Sequence, residues 1–528
     1  MTTAAAAPTG AAGPAGTSAL RGVARSGAVS TVGSLATSLL GFLVVVQVSR
    51  GLGAEGVGAF SVAVAIAMVL GVAGRLGTDT AMVRTVPRLR ELGRQADIRI
   101  AVRAAVVPVG VVTTGLAGLL WLLAPWVAPP LFGEIPVAES VALMRVAALT
   151  VPLAAACYVA LQAISGLGTI VPLTVVESIT KPAARCLFIA IALFAGAGVF
   201  GVTVAWALPV LLGAVMAGWM LRRRLRGLSL VDAAQPDPVA TRREVWRFAG
   251  PRGVAAVFEV AGLHVGVVLL SALAGAAAAG VYSSVLRLAL VGMLGLQALR
   301  LAVAPQISRM LTEGDVAGVE RVHRASTVWV VLVSFPVFLI LLSWPSQVLT
   351  LFGPEFQAGT VALSVLAAAM LLNVATGNVA TVLLMSGRSS ITLAVTVLSL
   401  GIGVLLTVLL GPLYGVLGAA IAKAISTVFE NVVVTVAVRR TVGVRTLSRP
   451  LALAVTAGIA CYAVPAAVLH AVGAVGAGTN GIPLAVGTVL VASAAYVVLA
   501  WRARNQYELS ALASVLPARF TRRLRGAS

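Results

Sequence analysis

The sequence predicts an all-α polytopic membrane protein with about 14 transmembrane helices, built as two duplicated six-helix lobes plus two C-terminal helices. Three observations carry this prediction: the composition, the recurrence of long apolar stretches, and an internal repeat. Mean hydropathy is +1.03, 59% of the residues are hydrophobic and only 10% are charged, which excludes an ordinary soluble protein. Apolar stretches of about 20 residues recur along the chain, each long enough to cross a hydrocarbon core of about 30 Å as a helix.

The internal repeat consists of short landmarks that recur in the same order on both sides of a basic, polar segment at Leu221–Arg252. The offset between the two copies stays at about 220 residues, with small insertions. The recurring landmarks are Leu131–Gly133 and Leu351–Gly353 (LFG), Val141–Leu143 and Val361–Leu363 (VAL), Ser165–Gly166 and Ser386–Gly387, and Gly201–Val202 and Gly415–Val416. We therefore predict two homologous halves joined by a charged loop.

The apolar stretches and the polar segments between them divide the chain into spans and loops. The predicted spans are 28–49, 57–83, 104–127, 137–164, 170–195 and 198–220, then 253–273, 278–303, 326–351, 360–385, 390–410 and 414–436, and finally 451–473 and 481–501. The predicted organisation is a disordered cytosolic tail (1–27), an N lobe with spans 1–6 (28–220), a basic cytosolic linker (221–252), a C lobe with spans 7–12 (253–436), spans 13–14 (451–501) and a basic cytosolic tail (502–528).

The distribution of positive charge predicts the orientation. If the N-terminus is cytosolic, the segments that the span count places in the cytosol hold about 30 of the 38 basic residues. The opposite loops hold almost none, with Arg50 at a span end as the exception. A miscounted helix would invert every loop after it, so this asymmetry supports both the count and the orientation. We predict a multi-pass protein of the bacterial plasma membrane with both termini in the cytoplasm, and no nucleic-acid partner despite the net charge of +21.

Several sequence patterns that are typical of enzymes do not indicate an enzyme here. The segment 51–56 matches GxGxxG, but a dinucleotide fold needs the preceding run 44–48 as a strand of a soluble βαβ unit. That run ends a predicted span, so we interpret the motif as a tight outer turn. The sequence has no P-loop, no CxxC pair and no nucleophile beside a base, and its three histidines are scattered. We predict a protein that is not an enzyme and that uses neither a metal nor a cofactor; Cys157, Cys186 and Cys461 are expected to be core hydrophobes.

Ionisable residues inside spans are costly and normally face a bundle interior or an aqueous cavity. If Glu139 at the outer end of span 4 is left out, the predicted spans hold seven basic residues against four acidic ones: Arg75, Arg145, Lys181, Arg185, Arg287, Arg300 and Lys423 against Asp79, Glu177, Glu259 and Glu430. This cationic excess suits an anionic ligand such as a phosphate or pyrophosphate headgroup, which arginine can grip with two hydrogen bonds. The pairs Arg75–Asp79 and Glu177–Lys181 have i, i+4 spacing and are equally open to interpretation as internal ion pairs.

With the duplicated halves in place, two motifs point to a family. Arg50–Phe60 (RGLGAEGVGAF) resembles a "LLGPEGYGLF" turn, and Gly77–Arg84 (GTDTAMVR) resembles a "GLDTALVR" stretch. Both belong to the polysaccharide-biosynthesis flippases, the O-antigen or oligosaccharide-lipid translocases of the multidrug/oligosaccharidyl-lipid/polysaccharide exporter superfamily. Pro305–Arg309 (PQISR) is similar to the equivalent stretch of the family's second half. The resemblance covers nearly the whole chain.

The resemblance implies a MATE-like fold that works by alternating access. The two lobes would rock about a central cavity lined by spans 1, 2, 7 and 8. The cargo would be an isoprenoid-(pyro)phosphate-linked oligosaccharide on an undecaprenyl- or decaprenyl-type carrier, moved from the inner to the outer leaflet. Spans 13 and 14 are a candidate groove for the lipid tail. Membrane lipids and a glycan polymerase or glycosyltransferases of the same pathway are the expected partners.

The candidate substrate-binding residues are Arg287, Arg75, Lys181, His264 and Arg300, and the candidate ion-coupling residues are Asp79 and Glu259. Arg287 leads the first set because it has no acidic partner in its own helix. Arg300 is also open to a simpler interpretation, in which its side chain reaches the membrane interface. Two other functions stay open at this point: a lipid II flippase for peptidoglycan, and a proton- or sodium-coupled multidrug antiporter. The energy source is not fixed by the sequence.

Overall fold

The computed structural model describes residues 14–133, 135–227, 237–475 and 478–507. Within these ranges the chain is helical apart from turns, and no strand occurs. The α-helices are α1 (Pro14–Arg75), α2 (Thr78–Glu91), α3 (Gln95–Phe132), α4 (Val137–Gly166), α5 (Val171–Leu173), α6 (Lys181–Phe194), α7 (Gly198–Arg226), α8 (Pro238–Val291), α9 (Leu294–Thr312), α10 (Val316–Ser343), α11 (Pro345–Leu349), α12 (Thr360–Thr376), α13 (Val379–Met385), α14 (Ser389–Thr441), α15 (Arg449–Gly458), α16 (Val464–Ala471) and α17 (Ile482–Arg502).

Kinks explain how these helices make the predicted number of passes. Ten helical segments are long and apolar enough to cross a membrane. Three of them, those that contain α1, α8 and α14, have a glycine with non-helical dihedral angles in their interior: Gly53, Gly275 and Gly415. Each of these three therefore makes two passes. The segment 171–194 adds one more, interrupted by a π-helical turn at Thr174–Thr180. The described residues thus account for fourteen passes, which confirms the all-α, polytopic fold class.

The helix ends differ from the predicted span ends at the N-terminal segment and at the linker. α1 begins at Pro14, so residues 14–27 are helical where the sequence led us to expect a disordered tail; alanine, leucine and arginine in this stretch are strong helix formers. α7 continues to Arg226, and α8 begins at Pro238, so both enter the segment predicted as a linker. The Asp237 carboxylate caps α8 by accepting the Ala240 N–H at 3.0 Å. Residues 1–13, 228–236 and 508–528 of the predicted tails and linker lie outside the described residues.

The two lobes pack as the repeat predicts. α1 to α7 form the first half, α8 to α14 the second, and the contact between α1 and α8 joins them. The run 44–48 lies inside α1, so the interpretation of the glycine motif as the turn between two helical spans is consistent with the fold. α15, the π-helical turn at Ile459–Ala463 and α17 pack against α10, and α16 packs against that turn and α17, all outside the duplicated core. Tyr507, just after α17, is buried, and its carbonyl accepts a hydrogen bond from the Trp329 indole at 2.9 Å.

The start of α8 is held by the N lobe rather than by the C lobe. The fully buried Asp97 carboxylate, at the beginning of α3, accepts the Asp237 N–H at 3.0 Å and pairs with Arg94 at 2.7 Å. Arg94 also donates to the Thr241 hydroxyl at 3.2 Å. Arg88 on α2 forms a further salt bridge, at 2.7 Å, with Glu244 on α8. Because the membrane-spanning part of α8 packs against α14, this one helix is attached to both lobes.

Candidate functional site: the cleft between the lobes

The half of the cleft that the predicted topology places on the outer side is closed where α1 and α8 cross. An added Cβ at Gly58 would overlap the Ala276 carbonyl, and an added Cβ at Gly280 would overlap the Ala54 carbonyl. The two helices therefore touch through their backbones, which only glycine allows at this distance. We call this crossing, Ala54–Gly58 against Ala276–Gly280, the outer seam.

A side-chain contact continues the outer seam toward the membrane centre. The Ser61 and Ser283 hydroxyls lie 2.9 Å apart and hydrogen-bond to each other, and both side chains are buried. The two serines are separated by 222 residues, and the same 222 separates the kink residues Gly53 and Gly275. The seam is thus made of equivalent positions of the two halves.

A second crossing closes the opposite half of the cleft, between the end of α1 and α8. Added Cβ atoms at Gly77 and Gly253 would overlap the opposing backbone, Ala249 and Gly253 in one case and Leu76 and Gly77 in the other. Leu76 has a positive φ of 54°, the one such non-glycine residue among those described. A leucine in this conformation is uncommon and strained. We call this contact the inner seam.

Arg287 lies in the cleft directly below the outer seam. It follows Ser283 by four residues in α8, so the two side chains share a helix face, and that face is turned to the N lobe. The Arg287 side chain is solvent-exposed although protein surrounds it, as expected for a residue that lines an internal cleft. Within the described residues it forms no salt bridge. Its guanidinium is therefore available to a ligand.

Two further basic side chains lie near Arg287, one on α6 and one on the first half of α8. Arg185 on α6 and His264 on α8 both lie within electrostatic range of its guanidinium. Arg185 is held in place by Trp206 on α7: its Nε donates to the Trp206 carbonyl at 3.3 Å, and its guanidinium stacks 4.5 Å from the centre of the indole ring. We call Arg185, His264 and Arg287 the cationic cluster, whose positive charge is carried by its two guanidinium groups.

Arg185 was not proposed as a ligand contact from the sequence. Helical spacing placed it on one face with Glu177 and Lys181, which suggested a shared ion-pair network. In the structure Glu177 binds Lys181 at 2.7 Å, and Arg185 forms no salt bridge among the described residues. The criterion that singled out Arg287, the lack of an acidic partner in its own helix, passed over Arg185 because Glu177 lies in the same predicted span.

Lys181 occupies an internal ion pair, the second of the two interpretations that the sequence left open. Its side chain is only 7% exposed, and the Glu177 carboxylate binds it inside the N lobe. Glu177 also accepts from the Cys157 thiol at 3.5 Å. A buried lysine that lost this partner would be an uncompensated charge, so the pair supports the fold of the lobe. The structure does not bring Lys181 together with the cationic cluster.

Arg75 and Asp79 form the other predicted pair, with 3.8 Å between nitrogen and oxygen. Arg75 also stacks over the Tyr158 ring at 4.1 Å, and Asp79 accepts the Thr80 N–H at 2.8 Å. On α8, Glu259 is bound by Arg252 through two hydrogen bonds, at 3.0 and 3.3 Å. These two acid–arginine pairs flank the inner seam.

Arg300 is exposed on α9, after the break at Gly292–Met293, and among the described residues it forms no salt bridge. This position is consistent with either role that the sequence allowed, a headgroup contact at the cytosolic entrance or a side chain at the interface. The structure thus places Arg287 and His264 in one cluster and leaves Arg75, Lys181 and Arg300 outside it.

Comparisons with known proteins give a family and a fold. The family of polysaccharide biosynthesis proteins matches residues 23–311, and the MatE family matches residues 251–409. No curated protein sequence matches the chain significantly. Among solved structures, the lipid II flippase MurJ in an inward closed conformation aligns with a TM-score of 0.67 and 11% identity, over 90% of this chain and 99% of that chain.

Two other solved structures share the fold. An inward-facing multidrug resistance MATE family transporter of the MOP superfamily aligns with a TM-score of 0.63 and 14% identity, over 78% of this chain and 98% of that chain. A MOP superfamily transporter from Pyrococcus furiosus, described by the reversed polarity of its binding pocket, aligns with a TM-score of 0.53 and 15% identity, over 80% and 96% of the two chains. At these identities the likeness shows a common architecture, which confirms the MATE-like fold.

Proposed function

The chain belongs to the polysaccharide biosynthesis protein family, and we propose that it is a flippase. Its cargo would be an isoprenoid-(pyro)phosphate-linked oligosaccharide, moved by alternating access from the inner to the outer leaflet of the bacterial plasma membrane. The observation that carries this proposal is the cationic cluster, in which Arg185 on α6 and His264 on the first half of α8 lie within electrostatic range of Arg287 on the second half of α8. A phosphate group is the ligand that such a cluster suits, because charge-assisted hydrogen bonds to arginine are strong and directional.

The position of the cluster supports a headgroup site rather than a structural role. Positive charges that repel one another in a membrane protein are costly unless a ligand or water compensates them. Arg287 is solvent-exposed and forms no salt bridge with any residue that the structure describes, and Arg185 is positioned by an indole ring. A site for cationic drugs would instead carry surplus negative charge, so the cluster argues against a multidrug antiporter.

The two seams suggest how the cleft opens. Both crossings involve the same pair of helices, and each is a backbone contact between the lobes. Rocking of the lobes would open one seam while the other stays closed. The cationic cluster would then be accessible from each side of the membrane in turn. The lipid tail would stay in the bilayer, with spans 13 and 14 as the candidate groove beside α10.

The cargo can be identified by depletion of the protein in its bacterial host. Loss of a flippase leaves its substrate on the inner leaflet, so we expect an isoprenoid-linked saccharide to accumulate there, and mass spectrometry of extracted lipids would give its glycan and carrier. Accumulation of lipid II would move the assignment to a peptidoglycan flippase, whose pyrophosphate suits the same cluster. No accumulation together with increased sensitivity to cationic drugs would contradict the flippase assignment.

The depletion also reports on the expected partners, and cysteine labelling tests the orientation. A polymerase or glycosyltransferase of the pathway would be depleted of substrate on the outer leaflet, and its product would fall in proportion. Cysteines introduced near either end of the described chain should react with membrane-permeant reagents alone if both termini face the cytoplasm, as the arginine distribution predicts.

Asp79 and Glu259 are the proposed ion-coupling residues. We expect Asp79→Asn and Glu259→Gln each to lower transport and to weaken its dependence on the coupling ion. Asp79 should have the larger effect, because its arginine is held at 3.8 Å while Glu259 is bound through two shorter hydrogen bonds. Transport by each variant in proteoliposomes with imposed proton or sodium gradients would measure this. Unchanged rates and unchanged ion dependence in both variants would rule out the role.

A further inference from the structure

The LFG turns, Leu131–Gly133 after α3 and Leu351–Gly353 after α11, are landmarks of the repeat that the cationic cluster does not explain. In both turns the phenylalanine is buried, with at most 1% exposed, and belongs to the hydrophobic core. In both the glycine has a positive φ, 62° in the first turn and 124° in the second. The buried ring anchors the turn, and the glycine lets the chain change direction there without strain.

The leucine carbonyl of each LFG turn accepts a hydrogen bond from the opposite lobe. Leu351, in the C lobe, accepts from Nε of Arg50 on α1 at 2.9 Å. Leu131, in the N lobe, accepts from the hydroxyl of Ser271 on α8, which is buried. Each donor lies three or four residues before the kink glycine of its own helix. The same element of the repeat thus bridges the lobes twice, beside the outer seam.

Glu355, two residues after the second LFG turn, makes a further bridge between the lobes. Its carboxylate accepts the Ala54 N–H at 2.6 Å. Ala54 is the first residue after the kink in α1, and N–H groups at a helix start lack intrahelical partners and favour negative charge. The approach is close, since a Cβ added at Gly53 would lie 2.9 Å from the Glu355 carboxylate. The kink therefore presents to the C lobe an N–H group that a carboxylate can bind.

These contacts also give Arg50 a role. It is the basic residue that the predicted topology leaves on the outer side, against the general distribution of arginine. Within the part of the chain that the structure describes, Arg50 forms no salt bridge, and its guanidinium is used for the Leu351 carbonyl. Glu55, the acid next to Ala54, makes neither a hydrogen bond nor a salt bridge to any described residue. Position alone therefore does not make a charged side chain part of this bridge.

We infer that the two LFG turns and Glu355 are latches that hold the outer seam closed, and that Glu355 is a gating residue of the transport cycle. The inference rests on the part of the proposed function that concerns rocking of the lobes, and it does not depend on the cargo. A hydrogen bond to a charged group shifts an equilibrium by about 10-fold to 150-fold, and the lower end applies to Glu355 because its side chain is partly exposed to water.

The test is hydrogen–deuterium exchange on the purified full-length protein without cargo, read by mass spectrometry in peptides that cover 51–60 and 274–283. Glu355→Ala should speed exchange in both peptides by about 10-fold, because opening of the seam exposes both facing helices. The matched control is Glu55→Ala, which removes the same charge next to Ala54 and should leave both peptides unchanged. Faster exchange in 51–60 alone would indicate the local loss of a helix cap and would overturn the inference, as would an equal effect of the control.

Two further variants separate the latches from one another. Glu355→Gln keeps an acceptor oxygen and should fall between the wild type and Glu355→Ala. Ser271→Ala removes a neutral hydrogen bond and should speed exchange in both peptides by about 2-fold to 10-fold. Unchanged exchange in Glu355→Ala and Ser271→Ala, in a protein that flips its oligosaccharide lipid normally, would refute the latches and leave the proposed function standing. Faster exchange in a protein that moves a different cargo would support the latches and contradict only the proposed cargo.

Discussion

Transport by an Arg287→Ala variant should fall by about 10-fold to 100-fold while folding and membrane insertion stay normal. A hydrogen bond to a charged group is worth about 1.5–3 kcal/mol, and each 1.4 kcal/mol corresponds to a factor of about ten. Arg287 is unpaired and exposed to the cleft, so its removal breaks no ion pair among the described residues. Fluorescent-lipid translocation or cargo flipping in proteoliposomes would measure the loss, with size-exclusion behaviour as the check on folding.

Arg185 supplies the comparison for this prediction. Arg185→Ala should lose activity in the same way, whereas Arg145→Ala should not, because Arg145 stacks 5.1 Å from the Trp121 ring and belongs to no cluster in the cleft. Arg287→Lys should keep part of the activity, since lysine retains the positive charge but cannot form bidentate hydrogen bonds to a phosphate. Normal transport by Arg287→Ala would refute the headgroup contact.

A Gly280→Ala substitution should prevent closure of the outer seam. The new methyl group would overlap the Ala54 carbonyl, and overpacking of this kind costs about 1–3 kcal/mol or more. A shift of that size changes the ratio of closed to open states by about 5-fold to 150-fold. We therefore expect transport to be nearly lost, with the protein held open to the outside.

Closure of the outer seam can be measured by disulfide formation between two introduced cysteines. The hydroxyls of Ser61 and Ser283 lie 2.9 Å apart, so Ser61→Cys/Ser283→Cys should form a disulfide readily in the otherwise unchanged protein and poorly with Gly280→Ala. The control is Gly71→Ala, also in α1, where an added Cβ meets nothing within 4 Å. Equal disulfide yields with Gly280→Ala and Gly71→Ala would mean that the seam tolerates the methyl group.

The parts of the fold that the sequence predicts are those governed by local pattern. Span number followed from the arginine distribution, and the repeat followed from short landmarks. The kinks at Gly53 and Gly275 lie where turns between spans were expected, although each turn is reduced to one residue inside a longer helix. Hydropathy measures the length of an apolar segment and carries no information on whether two segments share one helix.

The parts that the sequence could not supply depend on contacts between distant segments. The attachment of α8 to the N lobe rests on Asp97, which is 140 residues from its partner Asp237. The assignment of Arg185 to the cluster needed the position of Trp206 on another helix. Spacing along one helix can suggest partners, but only packing selects among them.

The outer seam also bears on where the two halves came from. Residue 54 of one half meets residue 280 of the other, and residue 58 meets residue 276, so equivalent surfaces touch each other reciprocally. Reciprocity of this kind is the mark of a two-fold axis and of a homodimer interface. Six passes return the chain to the side from which it started, so both halves have the same orientation and the axis runs along the membrane normal. A single ancestral half would therefore have paired with its own copy through this face before duplication joined the two.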